Sequence, residues 1–316
     1  MKTIFITGGT GFLGRNLAVK LKEYYNVILG GRNNYWGNQA RLLTGCEVHP
    51  MDITSIDSVR DAIALYKPEI IVHAAGTKYV ELGEMFPNEC VDVNIRGSQN
   101  IARVAMDKGV QLVIGISTDK AAPPCKSFYG TSKSVMEKLF LLLNDKSDTR
   151  FFCLRFGNIA WSTGSVFPIW KSMLESDGKI ITTGSNMRRF FFNVHDACQM
   201  IMDSIHHHEL LHAKILAKRM KSVLMEDVLS RFIRMYGGSF EKTTPRVGES
   251  IDETMIAETE IVHARYLDLG SSGYYLIDFS SRGFNEITGA VDTMNSGKFD
   301  EKEIDELIQY SKGSFI

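Results

Sequence analysis

The stretch STDKAAPPCKSFYGTSK, residues 117–133, opens with two hydroxyls and an adjacent acid–base pair and goes on to a tyrosine and two further lysines. Phenol, ammonium, carboxylate and hydroxyl are the groups that pass protons to and from a reacting molecule. Tyr129 and Lys133 are one helical turn apart and share a face if a helix begins there. Each piece also has an ordinary reading: a solvated charged turn at Asp119–Lys120, an exposed helix start at Tyr129. A redox cofactor bound beside them would decide for chemistry.

The N-terminus offers a place for one. ITGGTGFLG sets Gly8, Gly11 and Gly14 at three-residue intervals, directly after an apolar strand and at the start of a helix. Glycine allows the tight turn and lets backbone approach a pyrophosphate, and the N–H groups of the helix start, at Phe12 and Leu13, face anionic oxygen. At the end of the second strand, VILGGRNN has no acidic residue for a ribose 2′-hydroxyl and has Arg32, a cationic fork suited to a 2′-phosphate. NADP is therefore expected over NAD. Asp52–Ile53 suits an adenine pocket, with Asp52 accepting from the exocyclic amine. The small residues Ala74, Ala75 and Gly76 leave room for pyrophosphate and ribose.

The elements that must position these groups alternate along the first half. Strands are expected at 3–7, 26–30, 46–51, 69–75, 111–117 and 150–156, with helices at 12–24, 55–66, 88–108 and 129–143. That alternation predicts an α/β fold: a Rossmann-type doubly wound parallel sheet covered on both faces. Past residue 157 the rhythm weakens into expected loops and short strands. An amphipathic helix at 195–208 is expected to return to the sheet, and a terminal helix lies near the end of the chain. The expected division is a cofactor domain at 1–160, including 195–208, and an interleaved substrate lobe at 161–194 and 209–316.

Composition narrows the class. Of 316 residues, 44% are apolar and 36 basic side chains nearly balance 37 acidic ones, which argues against nucleic acid or a membrane surface as partner. No run approaches the length needed to span a bilayer, and MKTIFITGG does not read as a signal peptide. A cytoplasmic protein is expected. Cys46, Cys90, Cys125, Cys153 and Cys198 form no CxxC pair and read as free thiols. Cys125 lacks an evident activating base. No metal site is expected, His206–His208 reading as a polar helix end.

Taken together, GxxGxxG (8–14), Asp52–Ile53, His73–Ala74–Ala75, Asn94, Ser117–Thr118, Tyr129-xxx-Lys133 and RFGN (155–158) resemble the extended short-chain dehydrogenase/reductase family. STDKAA, KYVELGE, GSVFPIW, RRFFFNVHDA and PRVGESIDETMI are most similar to its inverting UDP-N-acetylglucosamine 4,6-dehydratases. Val247 stands where that family's nucleotide-binding segment has proline, and the tail beyond about 260 matches no pattern of the family. The resemblance implies that Tyr129 accepts the sugar's C4 hydroxyl proton as hydride passes to NADP. Lys133 would lower the tyrosine pKa and hold the nicotinamide ribose, and Thr118 would bind the reacting oxygen. Lys120, kept partly neutral, would take the C5 proton, and Asp119 would protonate the departing C6 oxygen. Asn94 is carried over with the cofactor set. Lys78, Asn158, Arg188, Arg246 and Glu249 are carried over for the nucleotide sugar, and a homo-oligomer is expected. A 4-epimerase or a 5,6-dehydratase on the same scaffold remains open, as does a catalytically silent NADP-binding sensor.

Overall fold

The computed structural model describes residues 1–245, 248–270 and 272–309. Its first half runs β1 (Thr3–Thr7), α1 (Phe12–Leu21), β2 (Asn26–Gly31), α2 (Asn34–Thr44), β3 (Glu47–Pro50), α3 (Ile56–Tyr66) and β4 (Ile70–His73). There follow α4 (Val80–Met85), α5 (Pro87–Cys90), α6 (Gly97–Asp107), β5 (Leu112–Ile116), α7 (Phe128–Leu143) and β6 (Arg150–Arg155). The second half holds β7 (Asn158–Ile159), α8 (Val166–Asp177), β8 (Lys179–Thr182), β9 (Arg188–Phe192), α9 (Val194–His206) and α10 (His208–Leu211). Beyond these lie β10 (Ile215–Lys218), β11 (Ser222–Leu224), α11 (Met225–Tyr236), β12 (Ser239–Lys242) and β13 (Thr254–Ile256). The chain closes with β14 (Ala264–Leu269), β15 (Ser272–Ile277), β16 (Val291–Asp292) and α12 (Glu301–Gln309).

The main sheet has nine strands in the order β14–β15–β10–β6–β5–β4–β1–β2–β3. All neighbours from β10 to β3 are parallel, and β14 and β15 add an antiparallel hairpin. β4 and β5 are buried at every residue, which is why they read as unbroken apolar runs and not as alternation. Leu17 and Leu21 of α1 pack with Met200 and Ile201 of α9 against one face. Val59 of α3, Ile101 of α6 and Phe140 of α7 fill the other. A separate aromatic cluster of Trp161, Phe167, Trp170 and Phe232 joins α8 to α11 and takes in Leu307 of α12. The chain thus has the doubly wound parallel architecture.

Two expectations need correction. GSVFPIW was expected among loops, yet Val166 opens the helix α8. Residues 209–316 do not all join a separate lobe, because β10, β14 and β15 extend the main sheet. These short strands lack the strand–helix rhythm that marked the first half.

Arg155, at the end of β6, binds this late sequence to the early sheet. It is 1% exposed. Its guanidinium donates to Glu137 of α7 at 3.0 and 2.7 Å, to Glu260 at 2.8 and 3.0 Å, and to the Met255 carbonyl at 2.9 Å. Removing one member of such a buried, fully paired set strands the others and costs about 3–5 kcal/mol.

Candidate active site

Strand order reverses between β1 and β4, and the carboxyl ends of those strands open into a cleft of about 970 Å³. Gly8, Gly11, Phe12, Leu13 and Gly14 floor one end of it. Gly8 has φ of +68°, and a Cβ there would lie 2.8 Å from the Ala75 backbone, so only glycine lets the two loops come this close. Arg32, Ile53, Ala74, Ala75, Gly76, Lys78, Thr118, Lys120, Tyr129, Lys133 and Asn158 also line the cleft. Ser117 Oγ, on the same wall, is buried with no hydrogen-bond partner among the described residues. A glycine-floored cradle at a helix start, ending at an unpartnered hydroxyl, fits an extended dinucleotide.

Several expected residues lie elsewhere. Asn94 is 1% exposed and stands behind the cleft wall. Its Oδ1 accepts from the Thr77 amide at 2.9 Å and its Nδ2 donates to Ser132 Oγ at 2.9 Å, so it braces the loop after β4 against α7. Asp52 uses Oδ1 to accept from the amide and hydroxyl of Thr54, each at 2.9 Å, closing a turn after β3. Arg188 pairs with Asp252 at 3.2 Å, and Glu249 accepts from Thr183 Oγ1 at 3.1 Å. Arg246 lies outside the described residues. Lys78 donates to the Thr163 carbonyl across the cleft. Arg32 faces Glu89 of α5 at 4.0 Å.

The loop from 117 and the start of α7 meet at close range. Ser127 caps α7, its Oγ accepting from the Gly130 amide at 3.1 Å. A Cβ at Gly130 would collide with the Lys120 carbonyl oxygen, so glycine is what lets the helix start pack on the acid–base turn. Thr118 Oγ1 donates to Asp119 Oδ1 at 2.9 Å, and Lys120 Nζ reaches the same oxygen at 3.0 Å. Asp119 Oδ2 is buried with no partner among the described residues. Glu253 Oε1 is also close to Lys120, 3.3 Å from Nζ.

Electrostatics revise two expected roles. Burial pushes the Lys120 ammonium down, but Asp119 and Glu253 outweigh it and hold its pKa above the ordinary lysine value. Lys120 is thus charged before substrate arrives, not partly neutral. Burial drives the Tyr129 phenol up to about 12, and the groups that pull it back are the Lys120 ammonium and the Thr118 hydroxyl. Lys133 was expected to do this. Instead it is buried, with a pKa pulled down to about 8, and donates to the Ile116 carbonyl at 2.9 Å. Cys125 is not activated, since burial pushes its thiol up. Among the described residues no group of three or more His, Cys, Asp or Glu is placed to hold a metal, and no helix is long and apolar enough to cross a membrane.

Sequence reasoning did not single out Glu253 or the contact Arg189 makes with it at 3.8 Å. Glu253 belongs to PRVGESIDETMI, but no spacing rule marks it out from Glu249 or Asp252.

Comparison with known proteins places this cleft in context. Residues 4–269 match the model of a family described as polysaccharide biosynthesis protein. The chain is 28% identical to the UDP-N-acetylglucosamine 4,6-dehydratase (inverting) of Campylobacter jejuni, over 99% of this chain and 98% of that protein. It is also 28% identical to a UDP-glucose 4-epimerase of Rickettsia bellii, over 90% and 85%. The structure of Pen from Bacillus thuringiensis superposes with a TM-score of 0.90 at 24% identity, covering 98% of each chain, which establishes the shared fold.

Proposed function

The chain belongs to the polysaccharide biosynthesis protein family, and from that premise we propose that it is an NADP-dependent nucleotide-sugar 4,6-dehydratase, acting on UDP-N-acetylglucosamine with inversion at C5. One observation carries the choice of dehydratase: the Asp119–Lys120 pair, 3.0 Å apart with its carboxylate buried, set against the phenol of Tyr129. A 4-epimerase has no use for a C5 base and a C6 acid, so the pair would have no task there. A bound nicotinamide would supply the oxidising and reducing power, taking hydride from C4 and returning it to C6.

The residues divide the proton traffic. Tyr129 takes the C4 hydroxyl proton. Thr118 bridges Tyr129 to Asp119, and its hydroxyl can hand that proton on to the Asp119 carboxylate. With C4 a ketone, the C5 proton becomes acidic, and Lys120 as an amine removes it while Asp119 protonates the C6 oxygen, which leaves as water. When C6 is reduced, Lys120 gives a proton back to C5. The proton lost at the C4 hydroxyl thus ends in the water that departs, and every residue returns to its starting state.

A 5,6-elimination would use the same base and acid but return hydride to C4. The direct Lys120–Asp119 contact favours keeping that reading, because Lys120 could then pass the C5 proton straight to Asp119 and reset it. The deciding experiment is a panel of nucleotide sugars analysed by mass spectrometry for loss of water, with NMR to identify the product. UDP-N-acetylglucosamine should give a 4-keto-6-deoxy sugar without NADPH accumulating at 340 nm. A 5,6-ene would move the assignment to 5,6-elimination, an epimer of unchanged mass to an epimerase, and stoichiometric NADPH to a dehydrogenase.

Cofactor choice rests on Arg32, whose guanidinium lines the cleft past β2 where no acidic residue of that strand's end competes for a 2′-hydroxyl. NADP should bind more tightly than NAD, and Arg32→Asp should reverse the order. Equal affinities before and after the change, by calorimetric titration, would remove Arg32 from the assignment.

A further inference from the structure

The charged Lys120 poses a problem that the dehydratase reading leaves open, since a base must first lose its own proton. Asp119 is a poor recipient, because it has to carry the proton destined for the C6 oxygen. Glu253 Oε1 lies 3.3 Å from Nζ, and the residue is 5% exposed. It does not line the substrate cleft. It faces instead a separate polar cavity of about 20 Å³, shared with Asp119, Lys120, Ser127 and Asp252, which has room for a water and not for a sugar. Its direct contact with the proton machinery is the one to Lys120 Nζ, while Arg189 lies 3.8 Å from the same carboxylate.

Its placement is built, and the late part of the chain builds it. The Glu253 amide donates to Thr293 Oγ1 at 3.1 Å, and the Thr293 amide donates back to the Glu253 carbonyl at 2.9 Å. The Thr293 hydroxyl in turn donates to Asp252 at 2.8 Å. Thr293 is fully buried and follows β16, in the tail that matched no family pattern.

Building on the dehydratase reading, we propose that Glu253 is the positioning residue that stores the Lys120 proton while Lys120 acts as base. The step is a single transfer along the 3.3 Å contact: an N–H bond of the ammonium breaks, an O–H bond forms on the carboxylate, and ammonium plus carboxylate become amine plus acid. Substrate bound against Lys120 would displace water from it, and a desolvated pair of opposite charges costs more than the same pair made neutral. Burial already raises the Glu253 pKa against the pull of Lys120. The other charged or titratable groups facing the pair are Asp119 beside Lys120, Tyr129 from α7, Arg189 from β9, and Lys126 and Asp252 at the small cavity. After C5 is reprotonated, Glu253 returns the stored proton and the ion pair is restored.

Glu253→Gln tests this, because a passive ion pair predicts the opposite sign. If Glu253 only holds Lys120 charged, removing its charge lowers the Lys120 pKa, and elimination becomes faster or its rising pH limb moves to lower pH. If Glu253 stores the proton, water loss and C5 exchange in D₂O fall by about 10²-fold, and the rising limb moves to higher pH because bulk solvent must deprotonate Lys120. Glu253→Asp, which keeps an acceptor, should recover much of the rate. Adding UDP-N-acetylglucosamine to wild-type protein with ¹³C-labelled glutamate should produce the infrared band of a protonated carboxyl, and Glu253→Gln should lack it. Unchanged UDP affinity in both variants shows that the site is folded. Wild-type dehydration with an equal or faster Glu253→Gln overturns the proton store alone. Absence of dehydration in the wild type overturns the dehydratase reading, and this proposal with it.

Discussion

Tyr129→Phe is expected to abolish turnover while leaving UDP-sugar binding nearly intact. The substitution removes one oxygen and keeps the ring that packs at the start of α7, where Gly83 lies 3.4 Å or more from the Tyr129 backbone and Cβ even with a methyl added. That oxygen is the first acceptor in the proposed proton sequence. Thr118 does not replace it, because its hydroxyl hands on protons only through a partner on each side. A general base contributes about 10²–10⁴-fold, and this one precedes every later step, so the whole effect should appear in kcat. Product formation by mass spectrometry and UDP affinity by calorimetry check it. Turnover within a few-fold of wild type would dismiss Tyr129 as the acceptor.

Lys120→Met should have an effect of similar size, divided over two steps. Wild-type enzyme in D₂O is expected to give product carrying deuterium at C5. The methionine variant should lose both that exchange and the release of water, by about 10²–10⁴-fold. Its C4 oxidation should slow as well, because the Lys120 ammonium is among the groups that hold the Tyr129 phenol down against burial. Asp119→Asn should slow both C4 oxidation, whose relayed proton loses its acceptor, and departure of the C6 oxygen. Normal dehydration by Lys120→Met would reduce the pair to a charged turn and bring the epimerase reading forward.

The glycine loop, the six parallel strands and the covering helices of the first half were legible because each depends on local pattern: three glycines after an apolar run, or apolar residues at helical spacing. The placements that sequence missed depend on distant partners. Asn94 looked like a cofactor ligand, but its amide is consumed by Thr77 and Ser132, which no periodicity reveals. Part of what holds Lys120 charged, after the adjacent Asp119, is Glu253, more than a hundred positions away along the chain. β10, β14 and β15 were missed for a related reason. β10 is a four-residue run, β14 and β15 form a hairpin, and the three continue the sheet only through the pairing of β10 with β6 on one side and β15 on the other.

The buried arginine at the end of β6 carries a consequence for how the protein is made. Arg155 and Glu260 are 105 residues apart in sequence. At about 5–20 residues per second, a ribosome needs roughly 5–20 s to travel from one to the other. During that interval the nascent chain holds β6 as an open sheet edge, a template for wrong pairing until β10 emerges. Arg155 meanwhile has only Glu137 to neutralise it. The proton machinery waits longer still, since Glu253 is not braced until Thr293 has been synthesised. Completion of the fold and competence for chemistry are therefore both late events in translation, and a chain released at residue 160 would have neither.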